Sequence, residues 1–295
     1  MRYKQAKQLK NLQESSAIWW QNLRKKDPIS LLLYLTLRLS IFSVLGVFAL
    51  LMGFIFIKGI AYLDLDLFAW EYNSQNVSMM PAIINTLTMV FISLLIAMPL
   101  GILGAIFLNE YGRKDSKILS IIAVATETLV GIPSIVYGLF GYLAFVIYFG
   151  LGYSLLAGCL TLSIMVLPLI LRSSQEALLA VPLSYREASF ALGAGKLRTI
   201  FAVVLPAATP GIVAGVILGI GKIVGESAAL LYTSASVAKV AGMLDSGRTL
   251  SVHMYIISSE GLHINEAYST AMVLVLIVLG INFISNIVAK KLTKA

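Results

Sequence analysis

Long runs of apolar residues, separated by short polar segments, dominate the hydrophobic pattern of this chain. A helix needs about 20 residues to cross a bilayer, and six of the runs reach that length. The pattern therefore predicts an all-α fold, a polytopic membrane protein with six transmembrane helices. The predicted spans are residues 36–62, 83–108, 118–148, 152–172, 209–234 and 268–290.

The third run is longer than a bilayer requires and contains the sequence GIPSIVYGLFGY. Pro133 lacks the backbone N–H that a helix interior needs, and Gly131 and Gly138 flank it. Backbone freed in this way at membrane depth must be satisfied by neighbouring helices. We therefore predict that this span tilts or breaks within the motif.

The polar segments alternate in their content of lysine and arginine. Four of them are basic: the N-terminal tail, residues 109–117, residues 173–208 and the C-terminal KKLTK. Residues 63–82 instead contain Asp64, Asp66 and Glu71, with no lysine or arginine. Because basic loops stay on the cytoplasmic side, both termini are predicted to be cytoplasmic. The segments predicted to face outward are residues 63–82, 149–151 and 235–267.

This topology divides the chain into four parts. They are a cytoplasmic tail over 1–35, a first transmembrane helix with its outward loop over 36–82, a core over 83–290 with a long cytoplasmic loop at 173–208, and a cytoplasmic tail over 291–295. The N-terminal tail is too long and too charged for a signal peptide, and no small-residue cleavage site follows the next apolar run. We therefore expect it to stay attached.

Composition agrees with a membrane protein. Hydrophobic residues make up 59% of the 295 residues and charged residues only 12%, against about 45–50% and 25% in soluble domains. The net charge of +8 is explained by basic residues at the ends of spans, so no nucleic-acid partner is predicted. The single cysteine, Cys159, excludes an internal disulfide. His253 and His263 stand apart from any Cys, Asp or Glu cluster, so no metal site is predicted.

The segment between the fourth and fifth spans contains the sequence YREASFALGAGKLRTIFAVVLP. Pro182, with Ser184 as N-cap, is expected to open a short helix that the glycines of GAG at 193–195 interrupt. A second helix is expected to end near Pro206. The segment is therefore predicted to form a compact protrusion. The simplest interpretation of this pattern is a structured loop that packs on the same protein.

This sequence resembles the Glu-Ala-Ala loop of ABC importer permeases. That loop has a glycine four positions beyond its second alanine and an Ile-x-Leu-Pro ending. Here the triplet is Glu187, Ala188 and Ser189, the glycine is Gly193, and the ending is Val-Val-Leu-Pro at 203–206. The resemblance implies that the triplet and the glycine dock on a separate ATPase subunit, with the small residues allowing close approach.

Further segments narrow the resemblance. The sequences FLNEYGR, LVGIPSIVYGLFGY, LPLILRSSQEALLAVP and GKIVGESAALLYTS resemble, in this order, segments of phosphate-specific ABC transporter permeases. Of the two homologous permease subunits of such systems, the last of these and LSVHMYIISSEG are more similar to the A-type. The resemblance covers roughly residues 30–292. Where that family has arginine and proline, this chain has Lys222 and Ala229.

The resemblance implies a type I ABC importer permease fold and a function in ATP-driven import of inorganic phosphate across the bacterial inner membrane. The implied partners are a homologous C-type permease subunit, two nucleotide-binding ATPase subunits, an extracytoplasmic phosphate-binding protein and membrane lipid. The chain itself is expected to bind no cofactor, with ATP and Mg²⁺ on the ATPase subunits. It is not expected to be an enzyme, because LGAGKLRT lacks the first glycine and the Ser or Thr of a phosphate loop.

Two charged residues lie inside the fifth predicted span. Lys222 and Glu226 are four residues apart, so on one helix they share a face. Charge at a bilayer centre costs at least about 2.5–3.5 kcal/mol per residue, which disfavours exposure to lipid. One interpretation is a neutralising pair that aids packing. The other is that both residues, with the hydroxyl of Ser227, line or gate the translocation route.

Two further polar residues are candidates for the same route. Arg172 ends the fourth predicted span, where it is either an anchor at the membrane interface or an anion or gating contact. Glu127 lies within the third span and is a candidate partner for Lys222 or Arg172. A carboxylate beside an anion route would repel the substrate. Glu127 and Glu226 are therefore expected to hold cationic side chains in place, or to form ion pairs in only one conformational state of the transporter.

Three alternatives to phosphate import remain at this stage. A permease for another oxyanion, such as molybdate, sulfate or phosphonate, fits the same motifs. A secondary transporter would show an inverted repeat and broken helices around a midplane site, and would leave the Glu-Ala-Ala resemblance unexplained. A bare membrane scaffold is disfavoured by the polar residues within spans.

Overall fold

The computed structural model describes residues 28–112 and 117–292. Its described residues form helices and loops, with no strand among them. The predicted N-terminal tail falls largely outside these residues, as do part of the 109–117 turn and the last three residues. The helices are α1 Pro28–Ala61, α2 Met80–Ile106, α3 Lys117–Gly131, α4 Ser134–Gly141, α5 Leu155–Leu179, α6 Leu183–Ala191, α7 Lys196–Thr199, α8 Leu205–Val224, α9 Ala228–Thr233, α10 Leu250–Glu260 and α11 Ile264–Leu292.

Three π-helical segments extend or join these helices. Residues Phe107–Tyr111 continue α2, Tyr142–Tyr148 continue α4, and Ile200–Val204 join α7 to α8. The chain divides into two compact units, residues 1–55 and 56–295. The described part of the first unit is the beginning of α1, whose apolar side chains are exposed around the whole helix. A helix that is apolar all round is typical of a membrane span.

The core of the second unit is a bundle in which α5 packs between α2 and α8. Its largest apolar cluster contains fully buried side chains from these helices, including Met89, Leu162 and Val224. A second cluster joins the ends of α2 and α5 to residues 200–212. Helices α2 and α5 run in the same direction through the bundle and α8 runs back against α5, so the bundle has two end faces. We call residues 107–112 and 180–204 the hairpin face, and residues 62–79, 149–154 and 234–263 the loop face.

The six predicted spans are present. Five helical segments are long and apolar enough to cross a membrane: Pro28–Ala61, Met80–Tyr111, Leu155–Leu179, Lys196–Val224 and Ile264–Ile287. The sixth is a pair, Leu119–Gly131 and Ser134–Tyr148, bent by 101°. The predicted break is therefore confirmed. It falls at Pro133, which precedes the first residue of α4 and has no N–H to continue α3.

Two boundary predictions were wrong. The fifth span does not run unbroken to residue 234, because α8 ends at Val224 and the chain turns before α9. Pro206 does not end a helix but lies in the first turn of α8. The π-helical turn Ile200–Val204 runs directly into α8, and such local adjustments let a membrane helix continue through a proline.

Glycines set the close contact between α8 and α5. A Cβ atom on Gly215 would lie 1.8 Å from Ser173 Oγ and 2.5 Å from Ser173 Cβ, and one on Gly211 would lie 2.6 Å from Ala177 Cβ. Gly221, on the same helix, has nothing within 4 Å of that position. Small residues at such crossings let helix backbones approach closely in membranes. The packing of α8 on α5 therefore depends on Gly211 and Gly215.

We expect Gly215→Ala to destabilise the protein by about 1–3 kcal/mol, the usual effect of overpacking. Gly221→Ala is the matched control, and it should be neutral or slightly stabilising because alanine favours the helix by roughly 0.5–1 kcal/mol. The measurement is the thermal unfolding midpoint of the full chain in detergent. Equal midpoints for the two variants would contradict the packing described here.

Candidate functional site

The hairpin face carries a helix–turn–helix made of α6 and α7. Helix α6 begins at Leu183, directly after Pro182, so Ser184 lies inside its first turn and is not the predicted N-cap. Gly193, just after the end of α6, has a φ of +79°, a conformation that glycine adopts without strain. Its N–H donates to Phe190 O at 2.9 Å, and the next N–H, of Ala194, donates to Ser189 O at 3.1 Å. This is a Schellman ending, which satisfies carbonyls that the helix leaves free.

The four predicted docking residues divide into two groups. Ser189 is buried and its Oγ lies 2.9 Å from Thr199 Oγ1, so it ties α6 to α7. Glu187, Ala188 and Gly193 are exposed, and Glu187 makes no hydrogen bond or ion pair with any described residue. Glu187 therefore neither caps a helix nor forms a salt bridge among the residues that the structure describes. An exposed carboxylate and small residues at a turn remain available to a partner.

A cleft of about 580 Å³ lies along the same hairpin. Its lining includes Ala188, Ser189 and Gly193, together with Tyr185, Leu192 and Arg198. Leu192 is 88% exposed, and Leu183 and Leu197 are also exposed on this hairpin. An open cleft with exposed leucines and one arginine can accept an apolar side chain and an acidic group. Such a surface is typical of a protein contact rather than of a lipid-facing loop.

A buried ion pair fastens this hairpin to the membrane bundle. Arg186 Nη2 lies 2.8 Å and Nε 3.2 Å from Glu110 Oε1, and the two side chains are only 13% and 11% exposed. Arg186 also donates to the carbonyls of Leu178 and Val181, each at 3.0 Å. The guanidinium therefore joins the end of α2, the end of α5 and the first helix of the hairpin. A neighbouring contact, Lys196 Nζ at 4.2 Å from the Tyr111 ring, links α7 to the same end of α2.

Glu110 and Arg186 were not among the residues predicted to act in the site. Both lie in the motifs FLNEYGR and YREASFALGAGKLRTIFAVVLP, which the sequence indicated only as parts of basic or resembling segments. A signal was available, since the two opposite charges lie in segments that were predicted to be on the same side of the membrane. Their separation of 76 positions along the chain concealed the pairing.

Three charged residues within the spans, Arg172, Glu127 and Glu176, form one local group, which includes neither Lys222 nor Glu226. Arg172 Nη1 lies 3.0 Å from Glu127 Oε1, and its Nε lies 3.2 Å from Glu176 Oε1. The alternative in which Glu127 pairs with Arg172 is thus the one the structure shows. Within the single chain the side chains of Arg172 and Glu127 are 46% and 68% exposed. Charged side chains exposed at this depth are expected to face an interface or an aqueous path rather than lipid.

Lys222 and Glu226 do not form the predicted pair. Helix α8 ends at Val224, so Glu226 is not one helical turn further on the same face. Its buried Oε1 instead accepts a hydrogen bond from Ala229 N at 2.9 Å, and Ser251 Oγ donates to its backbone carbonyl at 2.5 Å. Ala229 supplies an N–H that a proline at this position would lack. Glu226 therefore organises the turn between α8 and α9.

Lys222 lies in the last turn of α8, partly exposed and without an ion pair to any described residue. Gly215 on α8 packs against Ser173 on α5, the neighbour of Arg172. Lys222 is seven residues further along α8, so it is displaced from the level of Arg172 by roughly 10 Å along the helix axis. Ser227 is the residue before α9 and its side chain makes no capping bond there. The predicted route residues are therefore spread along α5 and α8 rather than gathered at one point.

The described residues hold no group of three His, Cys, Asp or Glu side chains that could bind a metal ion. The arrangement offers an exposed docking surface, a largely buried ionic link from that surface to α2, a cluster of Arg172 with two carboxylates, and the cation of Lys222.

Residues 97–295 match the family described as binding-protein-dependent transport system inner membrane component. The chain is 35% identical over 231 residues to the probable ABC transporter permease protein YqgI of Bacillus subtilis, covering 71% of this chain and 78% of that protein. It is 32% identical over 205 residues to the phosphate transport system permease protein PstA of Mycobacterium leprae, covering 68% and 67%. It is 43% identical over 153 residues to PstA 2 of Mycobacterium bovis, covering 52% of this chain and half of that protein's length.

Solved structures share the fold at lower identity. A bacterial alginate ABC transporter in complex with a pentasaccharide-bound periplasmic protein has a TM-score of 0.68 at 18% identity, over 94% of this chain and 98% of that one. The inward-facing MetNI methionine ABC transporter has a TM-score of 0.58 at 22% identity, over 73% and 94%. The fold is that of a type I ABC importer permease, which is a transport component and not an enzyme. The chain belongs to the family of binding-protein-dependent transport system inner membrane components, the permease subunits of ABC importers.

Proposed function

We propose that this chain is the transmembrane permease subunit of an ATP-driven importer of inorganic phosphate. The observation that carries the transport mechanism is the exposed hairpin joined to the bundle by the buried Glu110–Arg186 ion pair. The proposed substrate is supported by relatives named phosphate transport system permease proteins at 32–43% identity. It is also supported by Lys222, whose positive charge is paired with no carboxylate of the described residues and is available for an anion along the bundle.

The proposed partners are those of a complete importer. A homologous C-type permease subunit would complete the path, and the exposed charges of Arg172 and Glu127 would face it or the path between the subunits. Two ATPase subunits would bind the hairpins and carry ATP and Mg²⁺. An extracytoplasmic phosphate-binding protein would dock on the loop face. This arrangement places the hairpin face and both termini in the cytoplasm of a bacterial cell, in agreement with the distribution of lysine and arginine.

Coupling in this proposal is mechanical. ATP-driven movement of an ATPase subunit would displace the hairpin as a rigid body, because Ser189 and Thr199 hold its two helices together. Arg186 would pass that displacement to α2 through Glu110 and to α5 through the Leu178 carbonyl. The contact of Arg172 with Glu127 bridges α5 and α3, so it can break and re-form as these helices move, while Glu176 holds Arg172 from within α5.

The test is uptake of labelled phosphate into proteoliposomes that contain the reconstituted importer. We expect uptake to require the binding protein, the ATPase subunits and ATP, and to be competed by unlabelled phosphate but not by excess sulfate or molybdate. Equal competition by sulfate or molybdate would assign the chain to another oxyanion. Uptake by this chain without ATPase subunits would instead identify a secondary transporter.

A further inference from the structure

The loop face encloses a cationic side chain that has no counter-charge. Arg248, just ahead of α10, is 4% exposed, and its Nε and Nη2 atoms are buried with no hydrogen-bond partner. Its backbone is held on both sides: its N–H donates to Val237 O at 3.0 Å and its carbonyl accepts from Asn85 Nδ2 at 3.1 Å. The side chain is therefore placed by the fold and is not a surface arginine folded against the protein.

A buried histidine lies beside this arginine. His253, on α10, is fully buried, and neither ring nitrogen makes a hydrogen bond within the described residues. Burial, and next the positive charge of Arg248, lower the pKa of His253 to about 3. At neutral pH the ring is therefore uncharged, with one N–H donor and one free acceptor. Because α10 has only 11 residues, it is too short to span the bilayer.

The only partner of the Arg248 guanidinium among the described residues is an aromatic face. Its Cζ lies 4.5 Å from the centre of the Tyr72 ring, and the same ring meets His253 edge-on at 6.2 Å. A desolvated cation–π contact offsets only part of the cost of burying an unpaired charge. No carboxylate of the described residues reaches ion-pair distance of Arg248. An anion from outside the chain would supply the missing compensation.

The cover of this cluster is the loop over residues 71–78. Its hydrogen bonds are mostly internal: Asn73 Oδ1 accepts from Gln75 N and Asn76 N, and Asn76 Nδ2 donates to Glu71 O. Val77 fastens the loop to the bundle through an apolar contact with Ile257 and Ala267, and its φ of +44° is strained for a β-branched residue. Entry of a small ligand to Arg248 therefore requires this strained apolar contact to open, while the internal hydrogen bonds of the loop can persist.

We propose that Arg248, His253 and Tyr72 form a binding site for inorganic phosphate at the loop face, covered by residues 71–78. The proposal rests on phosphate import as the function of the importer. Arg248 offers Nε–H and Nη2–H to two oxygens of a tetrahedral oxyanion, the arrangement in which arginine binds phosphate most tightly. The neutral His253 offers one more N–H donor, or its free ring nitrogen accepts a hydrogen bond from the hydroxyl of HPO₄²⁻. The enclosure of the site favours free phosphate over the phosphate group of a lipid, which is tethered at the membrane surface.

The experiment measures binding of labelled inorganic phosphate to the assembled permease–ATPase complex in phosphatidylcholine nanodiscs, without the binding protein. We expect saturable binding that chloride does not displace. Arg248→Gln should weaken it at least tenfold, and Arg248→Lys, which keeps the charge, should weaken it less. His253→Gln should weaken it by roughly threefold to tenfold. Lys239→Gln is the matched control, because Lys239 is an exposed cation of the same face, and it should bind as the wild type does.

Two results would overturn the proposal. One is unchanged phosphate binding by Arg248→Gln, in a sample whose size-exclusion profile matches the wild type. The other is binding that appears only when anionic lipid occupies the nanodisc, which would assign Arg248 to a lipid headgroup. Uptake assays run in parallel separate this proposal from the proposed function. If phosphate is taken up but does not bind at Arg248, the site is rejected and the proposed function stands. If sulfate is taken up and binds at Arg248, phosphate is rejected as the substrate and the site remains an oxyanion site.

Discussion

Arg186→Glu is expected to reduce ATP-driven uptake at least tenfold, and addition of Glu110→Arg is expected to restore part of it. The single change places two carboxylates in a nearly buried site and leaves the Leu178 and Val181 carbonyls without their donor. Breaking a buried ion pair in this way typically costs about 3–5 kcal/mol. The double variant recreates the pair in reverse, although the two carbonyls stay unsatisfied, so recovery should be incomplete.

The measurement compares phosphate uptake with ATP hydrolysis in the same proteoliposomes. A link that transmits movement predicts more ATP hydrolysed per phosphate imported, whereas a role in stability alone predicts that both fall together. Lys117→Glu provides the control, since it makes the same charge reversal at an exposed residue without an ion pair among the described residues. A double variant no better than Arg186→Glu would contradict direct pairing as the reason for the loss.

Lys222→Gln is expected to reduce phosphate uptake at least tenfold with assembly intact, while Lys222→Arg should retain most of it. No described carboxylate pairs with Lys222, so its removal breaks no internal ion pair. Its charge is then available to an anion in the path, or to the partner subunit. Arginine keeps the charge and occurs at this position in the resembling family. Uptake by Lys222→Gln within twofold of the wild type would reject a route role.

Glu226→Gln supplies the comparison within the same segment. Glutamine keeps an oxygen that can accept from Ala229 N, so we expect this variant to transport nearly as well as the wild type. Glu226→Ala removes the acceptor and should lower stability by about 1 kcal/mol, as loss of a helix cap does. Lys58→Gln, which alters an exposed lysine in the last turn of α1, controls for loss of charge. Loss of uptake in Glu226→Gln would show that the charge of Glu226, rather than its hydrogen bond, is needed.

The lengths of the apolar runs were sufficient to predict the six spans and the break near Pro133. These features depend on local chemistry: a bilayer requires a certain length of apolar helix, and proline cannot continue the backbone hydrogen bonds. The hairpin was also predictable, because Gly193 marks a turn with positive φ and the motif around it has a fixed spacing. The second helix does not end near Pro206 as predicted, since the π-helical segment Ile200–Val204 carries the chain on into α8.

The pairing of charges could not be read from the same pattern. Hydrophobic periodicity shows which residues avoid water but not which distant charge each polar residue meets. Glu110 and Arg186 are 76 residues apart and Arg172 and Glu127 are 45 apart, so only the packing of α2, α3 and α5 brings them together. The opposite error occurred at Lys222 and Glu226, where close spacing predicted a contact that the end of α8 prevents. Helix content followed from the local sequence, whereas the partners of Glu110, Arg172 and Arg248 were decided by tertiary structure, because electrostatic contacts depend on distances in space.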